Sequence, residues 1–131
     1  SEEANRIVQA KLFYDQTIEG LSKTWKANTV WLNPPYCKVG NTSNQDIWTA
    51  KLLREYTAGS VKEALLLVTS STETIWFHRL MTYPMCFVKG RINFTAPTGK
   101  TGGATKGSIF VYFGKRPETF AKVFRRFGVV K

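Results

Sequence analysis

The sequence predicts an α/β fold, a single domain over residues 1–131 with a mostly parallel sheet flanked by helices and one β-hairpin. Three observations predict it. Short apolar runs with strand character alternate with stretches of helical period. The run Ala64-Leu65-Leu66-Leu67-Val68-Thr69 is apolar almost throughout, as strands buried on both faces of a parallel sheet are. A chain of 131 residues, 43% of them hydrophobic, has material for one core and no second.

The elements follow in order. Residues 2–14 put Ala4, Ile7, Val8 and Leu12 on one face of an amphipathic helix. Gly20 and Leu21 read as loop. Thr29-Val30-Trp31-Leu32 is a short buried strand, and Asn33-Pro34-Pro35-Tyr36 ends it, because two consecutive prolines cannot continue a central strand. Residues 37–45 are loop by composition. Asp46 is the expected N-cap of a helix to Ala58, with Trp48, Leu52, Leu53 and Tyr56 inward and Gly59 as its stop. After the strand at 64–69, Ser70 and Glu73 have capping-box spacing, and the helix they start carries Ile75, Trp76, Phe77 and Leu80 and ends before Pro84.

Met85–Val88 and Arg91–Phe94 flank Lys89-Gly90, which predicts the hairpin. Residues 95–107, rich in Gly, Thr and Lys, read as a mobile loop, and Ser108–Phe113 as a strand. Pro117 opens a last helix, with Phe120, Val123, Phe124 and Phe127 on one face and Gly128 at its end. In open α/β sheets ligands bind beyond the carboxyl ends of the strands. Residues 33–36 and 69–73 fall at such ends and are expected to line one rim.

Composition narrows the partners. The longest purely apolar run, Ala64 to Val68, is far too short to span a membrane. The start, Ser1-Glu2-Glu3, is acidic and carries no signal-peptide pattern. Nineteen Lys and Arg against nine Asp and Glu leave a charge of +10, which points to a polyanionic partner. Charge alone does not separate DNA from RNA or from an acidic membrane surface, and the plain alternatives are a basic protein with no anionic ligand or a basic subunit of an RNA-rich nucleoprotein assembly. Cys37 and Cys86 form no CxxC pair, and with one histidine the chain cannot assemble a Cys/His zinc site, so no metal is expected. Free thiols fit a reducing intracellular compartment.

Asn33-Pro34-Pro35-Tyr36, directly after a hydrophobic strand, is the most informative tetrapeptide. The exocyclic amine of adenine or cytosine is a poor nucleophile because its lone pair is delocalised into the ring. The Asn33 carboxamide oxygen and the Pro34 carbonyl can accept its two hydrogens, which frees the lone pair to attack a sulfonium methyl group. The prolines fix both acceptors on one point, and Tyr36 can stack on a base flipped out of a duplex. Gly99-Lys100-Thr101 suggests a phosphate-binding loop, but position 94 is Phe rather than Gly and Gly102-Gly103 follows where a helix is required. His78 reads as a partly buried structural histidine, Cys37 as a small residue at the rim, and Arg125 and Arg126 as a solvated helix face.

On these residues the sequence resembles the phage-type DNA N6-adenine methyltransferase family. The similarity runs through Gly20-Leu21, Trp25, Val30 to Tyr36, Trp48, Leu65 to Val68, Thr72 to His78, Phe87 to Phe94 and Gly107 to Phe113, across residues 1–113. It implies a partial Rossmann-like methyltransferase fold, S-adenosylmethionine as donor and adenine in DNA as acceptor. Asn33, Pro34, Pro35 and Tyr36 match the catalytic tetrapeptide. Tyr36 and Arg91 are the implied substrate contacts, and Thr72, Thr74, Trp76 and Phe77 match recurrent positions. It also implies a phage-infected or bacterial cytoplasm, or an organelle. The family's first, cofactor-binding strand would lie just before Ser1, so weak donor binding by these residues alone is expected. The alternative is an inactive derivative kept as a nucleic-acid-binding or structural subunit. Methylation of cytosine N4 or of RNA would use the same acceptor chemistry.

Overall fold

The computed structural model describes residues 2–14, 19–96 and 98–131. In chain order the elements are α1 (Glu2–Val8), β1 (Ala27–Leu32), β2 (Lys38–Val39), β3 (Thr42–Ser43), α2 (Asn44–Thr57), β4 (Val61–Thr69) and α3 (Ile75–His78). Then come β5 (Met85–Val88), β6 (Asn93–Thr95), β7 (Thr101–Gly103), β8 (Ser108–Phe113), α4 (Pro117–Phe124) and β9 (Gly128–Val130).

The central sheet has the order β1-β4-β8-β5-β9. Only β1 and β4 pair in parallel, with Leu32 opposite Leu66. β8 runs antiparallel to both β4 and β5, and β9 antiparallel to β5. The mostly parallel sheet expected from the sequence is therefore corrected to a mixed, mostly antiparallel one. The double-sided apolar run of β4 marks a central strand, which its sheet position confirms; it carries no information on the direction of the neighbours. β8 inserts between β4 and β5, so β4 and β5, which run the same way, do not pair with each other.

Both faces of the sheet are covered. Ala64, Leu66 and Val68 of β4 pack with Ile109, Val111 and Phe113 of β8 against Leu52 of α2 and Trp76, Phe77 and Leu80 around α3. On the other face Cys86 and Tyr112 pack against Phe120 of α4, with Leu65 and Phe110 alongside. Alternate residues of β4 thus serve two cores, as the two-residue period of a strand requires. A staple sits beside α4: Arg116 binds Glu63 at 2.7 Å, and the Tyr112 hydroxyl donates to the same carboxylate at 2.7 Å. Between α2 and Trp25, Lys51 and Glu55 form a buried pair at 2.6 Å.

Several expected elements move. The first helix, expected over residues 2–14, stops at Val8 and buries no residue, with Ile7 and Leu12 exposed. α2 starts three residues early because Ser43, not Asp46, is its N-cap, with its hydroxyl accepting from Gln45 N. Gly59 does stop it, at φ +80°. Thr74 rather than Ser70 caps α3, which is only four residues long, and Ile75 points to solvent.

The hairpin also moves. β5 pairs with β8 and β9, whereas β6 pairs with β7 inside the stretch expected to be loop. The Gly99 turn at φ +77° closes it. The last helix ends at Phe124, and Gly128 begins a strand instead of ending a helix. A side chain at Gly128 would collide with the backbone of Phe87, so glycine is what allows β9 to approach β5.

Candidate active site at the strand ends

β1 makes its last sheet pair at Leu32. Beyond it, Pro34 and Pro35 offer no N–H, so the chain leaves the sheet. Pro34 is buried; Asn33, Pro35 and Tyr36 are exposed. The Tyr36 hydroxyl donates to Asn33 Oδ1 at 3.1 Å. The Tyr36 ring meets Phe94 of β6 edge-on, with centroids 5.9 Å apart. It keeps 41% of its surface exposed, which leaves area for a planar ligand. Partial burial pushes the Tyr36 phenol up, so it remains a protonated donor at neutral pH.

The turn is tied to α2 and α2 to β4. Asn44 donates its backbone N–H to Cys37 O at 3.2 Å and its side-chain amide to Cys37 Sγ at 3.0 Å. Next to it, the buried Gln45 reaches β4: its Oε1 accepts from Thr69 N at 2.9 Å and its Nε2 donates to Thr69 Oγ1 at 3.0 Å. Gln45 stands where β1 has departed and takes the N–H that a longer strand would have used. Thr69 Oγ1 and Ser71 Oγ share a further bond at 2.8 Å. Residues 33–37, 44–45 and 69–71 are thereby linked into the rim that the sequence pattern suggested.

The remaining candidates are dispersed. Arg91 is exposed just before β6, at the base of the β6–β7 hairpin, whose Ala104 N–H donates to Ile92 O at 3.1 Å. Thr72 is exposed and its carbonyl meets His78 Nε2 at 2.8 Å. His78 is itself exposed, which corrects the partly buried histidine expected; α3 is too short to turn it inward. Thr74 accepts from Phe77 N as the helix cap, while Trp76 and Phe77 lie in the core, so these three hold the 69–74 turn. Cys37 is exposed beside Tyr36. Lys100 is followed by β7, not a helix, so no phosphate-loop geometry exists there. Arg126 lies over the Phe127 ring at 4.7 Å.

Gln45 and Phe94 escaped sequence reading. Gln45 lay in a segment that looked like loop, and a polar residue in the first turn of a helix carries no marker of a long-range partner. Phe94 had a signal, an aromatic at the edge of a Gly-rich stretch, but its contact with Tyr36 depends on a tertiary fold. Gln45, Thr69 and Ser71 satisfy one another, and among the described residues no buried side-chain nitrogen or oxygen lacks a partner. These three side chains therefore spend their buried polar atoms on one another rather than presenting them to a cofactor.

A protein-family model described as DNA N-6-adenine-methyltransferase (Dam) matches residues 1–126. No curated protein and no solved structure matches the chain.

Proposed function

The chain belongs to the DNA N-6-adenine-methyltransferase family, and from that premise we propose that Asn33-Pro34-Pro35-Tyr36 forms its acceptor site for adenine in DNA. The observation that carries the reading is the Tyr36–Asn33 hydrogen bond at the end of β1, beneath a half-exposed aromatic ring. A base flipped from the duplex lies on the open face of Tyr36. Its amine then meets Asn33. A carboxamide oxygen has two lone pairs: Tyr36 uses one of Asn33 Oδ1, and the other accepts an amine hydrogen. The carbonyl of the buried Pro34 accepts the second hydrogen. Together they draw the nitrogen towards a tetrahedral geometry and release its lone pair, with acceptors already in place before reaction.

Family membership implies S-adenosylmethionine as the methyl donor. Gln45, Thr69 and Ser71 bond to one another rather than to a donor, and Asn33, Pro34 and Tyr36 account for the acceptor side. The exposure of Arg91 at the hairpin base supports reading it as a contact to the DNA. The parallel β1–α2–β4 unit, with its site at the strand ends, supports reading the sheet as part of a Rossmann-like methyltransferase fold. The +10 charge supports a nucleic-acid partner. Among the described residues no helix is long and apolar enough to cross a membrane.

The test is transfer of a radiolabelled methyl group from S-adenosylmethionine to DNA under single-turnover conditions. Label is expected at adenine N6, and Asn33→Ala is expected to slow its appearance by about a hundredfold, the typical effect of losing one preorganised polar contact. An unchanged rate in Asn33→Ala would sink the site assignment. A second reading, a family member retained only to bind nucleic acid, is favoured by the charge of +10. Strongly salt-dependent DNA binding without methylation would establish it instead.

A further inference from the structure

We propose that the β6–β7 hairpin holds the sugar-phosphate of the nucleotide whose base reaches Asn33 and Tyr36; this rests on the acceptor-site reading above. A cleft of about 580 Å³ lies between Tyr36 and the hairpin, a size suited to one small ligand. Every lining residue except Tyr36 belongs to residues 94–105. The lining includes Phe94, Thr95, Lys100, Thr101 and Thr105, and no carboxylate. One end is aromatic, the walls carry hydroxyls, and the one charged group is an ammonium. That sequence of chemistries suits an anionic nucleotide.

The hairpin is built for close approach. Phe94 pairs across β6–β7 with Gly102, and Thr95 with Thr101. A side chain added at Gly102 would meet open space, so the backbone there is bare towards the cleft. Lys106 is engaged by Glu73 at 3.7 Å, whereas Lys100 has no carboxylate partner among the described residues. Among the residues that line the cleft, Lys100 is thus the cation available to a phosphate. Phe94 ties this wall to the acceptor site through its edge-on contact with the Tyr36 ring. Contacts of this kind position a strand and carry no base information, so the hairpin sets the depth of the nucleotide and leaves its identity to Asn33 and Tyr36.

The experiment is backbone-amide NMR on the full chain titrated with deoxyadenosine 5′-monophosphate and, separately, with deoxyadenosine. The nucleotide is expected to shift the amides of Phe94, Lys100 and Thr101–Thr105 and to bind about fivefold tighter than the nucleoside at low salt, the upper range for one exposed charge pair. Lys100→Ala, a change at an exposed turn, is expected to erase that advantage while leaving deoxyadenosine binding as it was. Added salt is expected to shrink it. Equal affinities for the two ligands, no shifts, or shifts confined to other surfaces overturn the proposal. Shifts at Asn33–Tyr36 with a silent hairpin overturn it while keeping the acceptor site. A hairpin response that follows the phosphate in a protein that methylates no DNA supports the nucleotide site and removes the reaction instead.

Discussion

Replacing Gln45 with Met tests how the rim is held. Methionine matches glutamine in length and suits a helix, so α2 itself is undisturbed. What is lost is the amide that accepts from Thr69 N at 2.9 Å and donates to Thr69 Oγ1 at 3.0 Å. The Thr69 hydroxyl keeps Ser71 at 2.8 Å, so its loss is about 1 kcal/mol or less. The Thr69 N–H has nothing left, because β1 ended three residues of register earlier at Leu32–Leu66. Leaving such a group unsatisfied costs about 1–3 kcal/mol. Burying a thioether in place of an amide returns part of this, and the net expectation is a loss of about 2 kcal/mol. With a urea slope of roughly 1.5 kcal/mol/M for a domain this small, the unfolding midpoint should fall by about 1.3 M. A Thr69→Val companion should show coupling with Gln45→Met in a double-mutant cycle. An unchanged midpoint in Gln45→Met would refute the claim that this amide replaces the missing strand.

Two further outcomes follow from the same geometry. Tyr36→Phe keeps the ring and loses only the hydroxyl bond to Asn33, so single-turnover methyl transfer should slow by about two- to tenfold with DNA affinity unchanged; Tyr36→Ala should instead weaken DNA binding, by roughly 1–3 kcal/mol, and a Phe variant as fast as the parent protein would show that the hydroxyl does not orient Asn33. Hydrogen bonds from Lys51 hold Glu55 below its ordinary value of 4.5, and those from Arg116 and then Tyr112 do the same for Glu63. Lowered carboxylate values stabilise the fold above the unfolded value and lose that contribution as pH falls through the folded ones, so the urea midpoint should hold steady from pH 7 to about 5 and drop below that, less so in Glu63→Gln; a flat profile down to pH 3 would contradict the assignment.

The parts of this fold legible in the sequence were those fixed locally. The double proline after Leu32 had to end a strand, Gly59 had to stop α2, and the apolar run at 64–69 had to be central. The break at Asn33-Pro34-Pro35-Tyr36, proposed as the acceptor site, was legible for the same reason, since the strand, its break and its aromatic are contiguous. Strand direction was not, because β8 enters between β4 and β5 from far along the chain. β9 was hidden by the helical spacing of Phe120, Phe124 and Phe127, which continues past the point where the helix ends. The β6–β7 hairpin was hidden by glycines, which weaken strand propensity and yet permit the pairing of Phe94 with Gly102. Gln45 and Phe94 act through partners distant in sequence, and no local pattern announces such partners.

The insertion of β8 between β4 and β5 also bears on how quickly the sheet can form. Leu66 finds Val111, and Met85 finds the same Val111 from the other side. Neither earlier strand can complete its hydrogen bonds until β8 has left the ribosome, and closing loops of that length carries an entropic cost before any contact repays it. Until then β4, apolar on both faces, has only β1 beside it and an open edge that another chain could occupy. Refolding that slows and loses yield as protein concentration rises is the outcome expected of this strand order.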